Sequence, residues 1–167
     1  MPTYPIFVPD VLDVEAIGFG STSYPIEVGV VTADGSRYCR MIKPFQDWQF
    51  WDKEAETLHG ITRDILIQNG SLGLEVCQEL NRLYSDRTLY SDAWVVDYPW
   101  VRELFAHAQI EMQFRVSAIE MLLSEEQLAN WDATKAQVTH TLKLPRHRAS
   151  NDAEIIQKTY LAIVANE

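Results

Sequence analysis

The sequence has few cysteines, no long apolar run and a shortage of positive charge, and each shortage excludes a class of protein. Cys39 and Cys77 are the only two cysteines among 167 residues and form no CxxC pair, which excludes a disulfide framework. No apolar run approaches the roughly 18 residues that a membrane helix requires. Fourteen basic against 24 acidic residues give a net charge of −10, which argues against a basic protein that coats nucleic acid.

The remaining composition indicates one folded domain. Hydrophobic residues make up 47% of the chain and are evenly spread, which excludes disorder. A length of 167 residues suits one domain, and no repeat or linker divides it, so we expect a single domain over 1–167. Residues 1–14 lack the basic start of a signal peptide and are interrupted by Pro9 and Asp10. We therefore expect a cytoplasmic protein that does not associate with membranes.

Three strands are predicted at the start of the chain. Residues 6–16 and 25–32 are rich in Val, Ile and Leu, and residues 36–43 follow a turn between apolar runs. Asp34-Gly35, between the second and third strands, is a strong signal for a tight hairpin turn. The second and third strands are therefore predicted to pair antiparallel.

Helices and strands alternate after residue 51, where the apolar spacing lengthens to the helical period. Leu72, Val76, Leu80 and Leu83 form one apolar face of a helix over 71–85. Further helices are predicted over 51–59, after Thr62, over 97–108, over 124–140 and over 151–164, with strands over 88–91 and 110–116. This order predicts a mixed α/β sheet.

Asp13 and Glu15 form a pair of acids at the end of the first predicted strand. Side chains two apart on a strand share a face, so both carboxylates are expected to point the same way and could bind a metal ion. Chance alone supplies about three such pairs in a chain this acidic, and a solvated strand end is the simpler interpretation of the pair by itself.

Asp97 lies where the predicted fourth strand is followed by a helix. An Asp before Tyr98-Pro99 is a good helix N-cap. The carboxyl end of a strand is also where open α/β sheets bind ligands, so capping and ligand binding are compatible. Asp92, five residues earlier, is the alternative for any role assigned to Asp97.

His147 and Asp152 form a third candidate at the start of the last predicted helix. Asp152 could simply be a first-turn acid favoured by the helix dipole. However, Lys143, Arg146 and Arg148 surround His147 and form the densest basic cluster of an acidic chain. Basic groups beside acids suit a phosphate backbone that must approach metal ions.

In combination, these pieces resemble a known family. They are Asp13-x-Glu15 with Gly18, then Pro25-Ile26-Glu27-Val28-Gly29, His59-Gly60-Ile61-Thr62, Asp97 before a helix, and His147-Arg148-Ala149-Ser150-Asn151-Asp152-Ala153. Their order and spacing, from residue 6 to about residue 160, resemble the DEDDh 3′→5′ exonucleases, relatives of the proofreading exonuclease of DNA polymerase III and of RNase T. No single piece is specific, whereas the whole series is.

The resemblance implies a ribonuclease H-like fold, with a mixed five-stranded sheet whose first three strands are antiparallel and which is flanked by helices. It implies that two divalent cations, Mg²⁺ or Mn²⁺, are bound by four carboxylates and that His147 is the general base. The implied ligands are Asp13, Glu15, Asp97 and Asp152. The implied reaction is hydrolysis of single-stranded nucleic acid from a free 3′ end to nucleoside 5′-monophosphates. Because members of this family are often dimers, a homodimer stays open.

The resemblance also implies substrate contacts, and in one place the sequence departs from it. Ile17 and Phe19 would pack on the terminal base, and His59 would flank the terminal nucleotide. It is an equally good interpretation that Phe19 is an ordinary core residue. It is also an equally good interpretation that His59 is a cation at the C-terminus of a helix. Val96 stands where the family often has Phe before the motif-two Asp, so Asp92 remains the alternative to Asp97 as ligand.

Other functions stay open at this point. Nothing in the sequence distinguishes DNA from RNA, so an oligoribonuclease or RNA-trimming enzyme is the nearest alternative. A phosphohydrolase for free nucleotides would use the same chemistry without a binding track for a strand. A non-catalytic nucleic-acid-binding module of the same fold is less consistent with the residues, because such a module has no reason to keep four mutually repelling carboxylates.

Overall fold

A computed structural model describes residues 5–165 of the chain. These residues contain one five-stranded sheet in the order β3-β2-β1-β4-β5. The strands are β1 (Asp10–Ala16), β2 (Pro25–Val31), β3 (Arg37–Met41), β4 (Thr88–Ser91) and β5 (Arg115–Ala118). β1 to β3 are antiparallel neighbours, whereas β4 pairs parallel with both β1 and β5. The predicted hairpin and the predicted mixed α/β sheet are thus confirmed.

Seven α-helices connect and cover the strands in the described part of the chain. They are α1 (Lys53–His59), α2 (Arg63–Asn69), α3 (Gly73–Tyr84), α4 (Trp94–Ala108), α5 (Glu125–Ala129), α6 (Trp131–Leu142) and α7 (Ala149–Val164), with a 3₁₀ helix at Ile119–Leu122. The predicted stop and cap are both present: Gly60 ends α1 with a left-handed backbone, and the Thr62 side chain accepts the amide N–H of Ile65 to begin α2. None of the helices within 5–165 is long and apolar enough to span a bilayer.

Helices cover both faces of the sheet, and β1 therefore sends alternate side chains to different layers. Leu12 and Val14 pack with residues of α3 and α4, such as Leu80 and Leu104. Val11 packs in a second cluster, whose other members include Val31, Ile119, Ala153, Ile156 and Tyr160. Asp13 and Glu15 share the face of Val11, so they point towards α7.

The face of α3 that packs inward differs from the predicted one. Leu72 and Leu83 are 54% and 38% exposed, so the predicted apolar face is wrong at two of its four residues. The buried face instead includes Asn81, whose side chain donates to the carbonyl of Glu111 and accepts the amide N–H of Gln113. These bonds hold the segment before β5 as a loop, which is why β5 begins at residue 115 rather than at the predicted 110.

Three other element boundaries differ from the prediction. α4 begins at Trp94, three residues early, because the Trp94 ring stacks on Tyr98 and its Nε1 donates to the carbonyl of Val116. Asp97 consequently lies in the first turn of α4 and is not its N-cap, so that interpretation is wrong. β1 begins at residue 10 because Pro9 has no amide N–H for the sheet. The predicted helix over 124–140 is divided into α5 and α6 at Asn130.

Candidate active site

A cleft of about 420 Å³ opens where the carboxyl halves of β1 and β4 meet the start of α7. Each of the five polar residues singled out as ligands or base lines this cleft, as does the alternative Asp92. They are Asp13 and Glu15 from β1, Asp92 and Asp97 from the turn after β4 and from α4, and His147 and Asp152 from the start of α7. Three segments that are distant in sequence therefore supply one site.

The first turn of α7 approaches the sheet at a glycine. Gly29 on β2 pairs with Asp13 on β1, and a Cβ at Gly29 would overlap the backbone of Ala149 and Ser150. Only a residue without a side chain permits this approach. The contact brings Asp152, three residues into α7, over the face of the sheet that carries Asp13 and Glu15.

An ion pair between a buried glutamate and a half-exposed arginine anchors the same helix end. The Glu27 carboxylate on β2 is fully buried, and the Arg148 guanidinium donates to both of its oxygens at 2.8 to 3.1 Å. The amide N–H of Ala149 donates to Glu27 Oε1 at 2.7 Å, so the carboxylate also satisfies one of the free amides at the start of α7. Glu27 and Gly29 together fix α7, and with it Asp152, against β2.

Asp97 is held between two strands. It is 2% exposed, its carboxylate accepts the Ser91 hydroxyl at 2.7 Å, and the backbone of Val14 on β1 acts to lower its pKa. Asp92, in contrast, forms an ion pair with Lys135 Nζ on α6. The structure thus brings both acids into the cleft, with Asp97 the more deeply buried.

The cleft is electrostatically unfavourable for its own carboxylates. Burial raises the pKa of Asp13 well above its ordinary value, and the charges of Asp97, Glu15 and Asp152 add to this. Burial and the charge of Asp152 raise the pKa of Glu15 to about 8. Burial raises the pKa of Asp97 to about 7, and the charge of Asp92 acts in the same direction. Close-packed carboxylates with raised pKa values require protons or cations nearby.

One carboxylate oxygen of the cluster has no partner. Asp13 Oδ2 is buried and accepts no hydrogen bond within the described residues. A buried carboxylate oxygen without a donor is costly unless a cation compensates it. Hard oxygen donors of this kind are the ligands that Mg²⁺ and Mn²⁺ prefer, so the residues present fit a divalent cation.

His147 and Asp152 are positioned by a short loop before α7. His147 has a left-handed backbone with φ 58°, and its amide N–H donates to Asp152 Oδ2 at 3.1 Å. Arg146 Nε donates to Asp152 Oδ1 at 2.8 Å. One ligand atom from each of Glu15, His147 and Asp152 lies within 4.8 Å of the other two, a spacing that suits a shared metal ion.

The three predicted substrate residues differ in exposure. Phe19 is 88% exposed at the rim of the cleft. His59 is buried in its wall: Nδ1 accepts the amide N–H of Ile61, so Nε2 carries the proton and has no partner among the described residues. Ile17 is fully buried in the core and does not line the cleft, so in this structure it offers no surface to a base. The expectation for Ile17 is therefore wrong.

Two lining residues were missed by the sequence analysis. Lys135 enters the cleft from α6, and Trp100 lines it from α4 with a buried, unpartnered Nε1–H. Trp100 follows Asp97 by three residues and so lies on the same face of α4, which is a signal the sequence contains. Lys135 lies in a polar helix without a distinguishing pattern, so only the packing of α6 against α7 reveals its place.

Solved structures of exonuclease I share this architecture. E. coli exonuclease I in complex with a dA16 oligonucleotide has a TM-score of 0.64 and 12% identity, over 90% of this chain and 39% of that chain. The zinc-bound form of an E. coli exonuclease I–ssDNA complex has a TM-score of 0.65 and 13% identity, over 94% and 40%. Exonuclease I from Methylocaldum szegediense has a TM-score of 0.56 and 16% identity, over 73% and 29%.

The chain has the ribonuclease H-like fold of exonuclease I. This confirms the predicted fold class, including the antiparallel first three strands and the flanking helices. The chain spans less than half the length of these exonuclease I chains. No family model and no curated protein sequence matches it.

Proposed function

We propose that this chain is a metal-dependent 3′→5′ exonuclease, with 1–167 acting as one catalytic domain, that hydrolyses single-stranded DNA or RNA to nucleoside 5′-monophosphates. One observation carries the proposal: four carboxylates and a histidine from three distant segments converge on one cleft, and a buried oxygen of Asp13 has no partner there. Repelling carboxylates are destabilising, so their convergence is best explained by cations that they bind.

The four carboxylates are the proposed ligands of two divalent cations, Mg²⁺ or Mn²⁺. A pair of such ions activates water and stabilises the leaving oxygen of an in-line phosphoryl displacement. Asp13 and Glu15 supply oxygens from a rigid strand, and Asp97 and Asp152 supply them from the first turns of α4 and α7. β1 and two helix starts fix the backbone positions of these groups, and metal binding by Asp152 requires that Arg146 release its carboxylate.

His147 is the proposed general base. Its imidazole lies beside Glu15 and Asp152, at the edge of the carboxylate cluster. An imidazole can accept a proton near neutral pH, which suits removal of a proton from the attacking water. The bond from the His147 amide N–H to Asp152 fixes the backbone from which the ring extends.

Phe19 and His59 are the proposed contacts to the 3′-terminal nucleotide. An exposed aromatic ring at the rim can stack on any base, which gives binding without sequence preference. The unpartnered Nε2–H of His59 is a donor for an oxygen of the same nucleotide. The single-stranded DNA present in E. coli exonuclease I complexes of the same fold supports this substrate class.

The test is digestion of 5′-labelled single-stranded DNA and RNA of one sequence, side by side, with Mg²⁺, Mn²⁺ or EDTA. We expect ladders that shorten from the 3′ end with either metal, no cleavage in EDTA, and nucleoside 5′-monophosphates as products. Asp152→Asn serves as the matched inactive control. Absence of cleavage with both metals and both polymers, by a folded chain, would contradict the proposal, and so would mid-chain cuts.

A further inference from the structure

Lys135 is a positive charge inside an otherwise acidic cleft. It extends from α6, and its side chain is 27% exposed. Arg146 is the other Lys or Arg among the described residues that line the cleft, and its Nε donates to Asp152. Lys135 pairs instead with Asp92, which lies beside the carboxylate cluster.

The position of Lys135 differs from that of the reacting groups. Glu15, His147 and Asp152 have ligand atoms within 4.8 Å of one another. The Lys135 ammonium is not part of that cluster and pairs with Asp92, which directly follows β4. A strand whose reacting phosphate lies at the cluster could therefore carry a neighbouring phosphate towards Lys135.

The chemistry of the pair suits a phosphate ligand. An ammonium has three donor hydrogens, so Lys135 can keep its bond to Asp92 and still donate to a phosphate oxygen. α6 contributes no fully buried residue, and Trp131, one turn before Lys135, packs against the second core cluster.

We infer that Lys135 binds a phosphate of the nucleic-acid strand next to the reacting phosphate and thereby favours a polynucleotide over a single nucleotide ester. The inference rests on the proposed function, since it concerns the same cleft. It concerns a phosphate, which DNA and RNA share, and it assigns Lys135 to binding rather than to the bond-breaking step.

The experiment compares two substrates with Mn²⁺ present: 5′-labelled dT10, which has flanking phosphates, and the p-nitrophenyl ester of thymidine 5′-monophosphate, which has none. Lys135→Met removes the positive charge and Lys135→Arg keeps it. Asp92→Asn removes the negative charge that pairs with Lys135 and leaves the Lys135 ammonium in place. Lys158→Met removes an exposed charge from α7 outside the cleft and is the matched control.

For Lys135→Met we expect kcat/KM on dT10 to fall about tenfold, mainly through KM, and the ester to be hydrolysed as before. The slope of log kcat/KM against log salt should become shallower by about 0.7, the value of one lost phosphate contact on a single strand. Lys135→Arg should restore most of the activity, and Lys158→Met should match the unmodified chain. Asp92→Asn should hold or raise kcat/KM on dT10, because it removes a repelling charge.

Equal losses on both substrates in Lys135→Met would overturn the inference, because they would place Lys135 at the reacting phosphate. A loss in Asp92→Asn as large as in Lys135→Met would also overturn it, because Lys135 would then act only by holding Asp92. If Lys135→Met does not fold, Lys135→Gln, which also removes the charge, is compared in its place. If the unmodified chain hydrolyses neither substrate, the proposed function fails first, whereas normal cleavage with an unaffected Lys135→Met overturns this inference alone.

Discussion

When no cation is bound, Asp13 has the least favourable environment of any residue in the cleft. Its pKa is raised by burial and by four neighbouring carboxylates, and one of its oxygens has no partner within residues 5–165. Replacing it with Asn should abolish metal-dependent hydrolysis and, in EDTA at pH 8, raise the free energy of unfolding by more than about 1 kcal/mol. Thermal and urea unfolding would measure this gain.

Asp34→Asn is the matched control for this gain in stability, and it is expected to lower the free energy of unfolding. Asp34 is exposed, and hydrogen bonds from Thr32 and from Ser36 lower its pKa to about 2. Asp34→Asn should therefore decrease stability at pH 8 and leave hydrolysis intact. A loss of stability in Asp13→Asn would show that the Asp13 carboxylate is satisfied by the protein itself.

His147 has a backbone that limits which substitutions are informative. Its φ of 58° is accessible to Asn at little cost, whereas Ala would add strain. His147→Asn should lower kcat by about 10²–10⁴ with Mg²⁺ and alter the pH–rate profile, because the proposed base is removed. His140→Asn, at an exposed position on α6, is the control. A pH–rate profile unchanged in His147→Asn would exclude His147 as the base.

The start of α7 is the element on which the site geometry depends. Glu27→Gln removes the charge that Arg148 and the Ala149 amide bind, and should destabilise the chain by about 1–3 kcal/mol and reduce hydrolysis by displacing Asp152. Lys53→Met breaks an exposed ion pair, to Glu56, within α1 and should cost less than about 1 kcal/mol. Equal effects of the two substitutions, measured by urea unfolding, would argue against Glu27 as the anchor.

Elements with local signals could be predicted from the sequence, and those set by distant contacts could not. The Asp34-Gly35 hairpin, the Thr62 cap and the stop at Gly60 depend on a few adjacent residues. The early start of α4 depends on Trp94 bonding to β5. The loop before β5 depends on Asn81, a polar residue that an apolar pattern assigns to the surface.

The residues of the candidate site likewise divide into those with a local signal in the sequence and those placed by distant contacts. The shared face of Asp13 and Glu15 follows from strand alternation, whereas their proximity to Asp152 was implied only by the resemblance. The burial of Ile17 was missed because adjacent residues of a strand end can point either to the core or to the cleft, and only tertiary packing decides between them. Lys135 carries no signal in the sequence, and a homodimer and the cytoplasmic location stay predictions.

For the whole molecule, the raised pKa values predict how stability depends on pH. The Glu15 and Asp97 carboxyls have pKa values of about 8 and about 7 in the folded chain, against about 4 when unfolded. Above pH 6.5 the folded state thus holds more protons than the unfolded state and loses them as the pH rises, so Tm in EDTA should fall by several degrees between pH 6.5 and 8.5.

Divalent cations should reverse this trend, because they bind the deprotonated ligands. The rise in Tm caused by Mn²⁺ should be larger at pH 8.5 than at pH 6.5. Glu15→Gln should flatten the pH dependence in EDTA and reduce the effect of Mn²⁺. A Tm in EDTA that is constant or rises over this range would contradict the assigned pKa shifts.

Anomalous diffraction from crystals soaked in Mn²⁺ tests the central claim most directly, since manganese can be located without reference to activity. We predict two anomalous peaks in the cleft, bound by oxygens of Asp13, Glu15, Asp97 and Asp152, and their loss in Asp13→Asn. A cleft without anomalous density at saturating Mn²⁺, with Asp152 still bound to Arg146, would contradict the account.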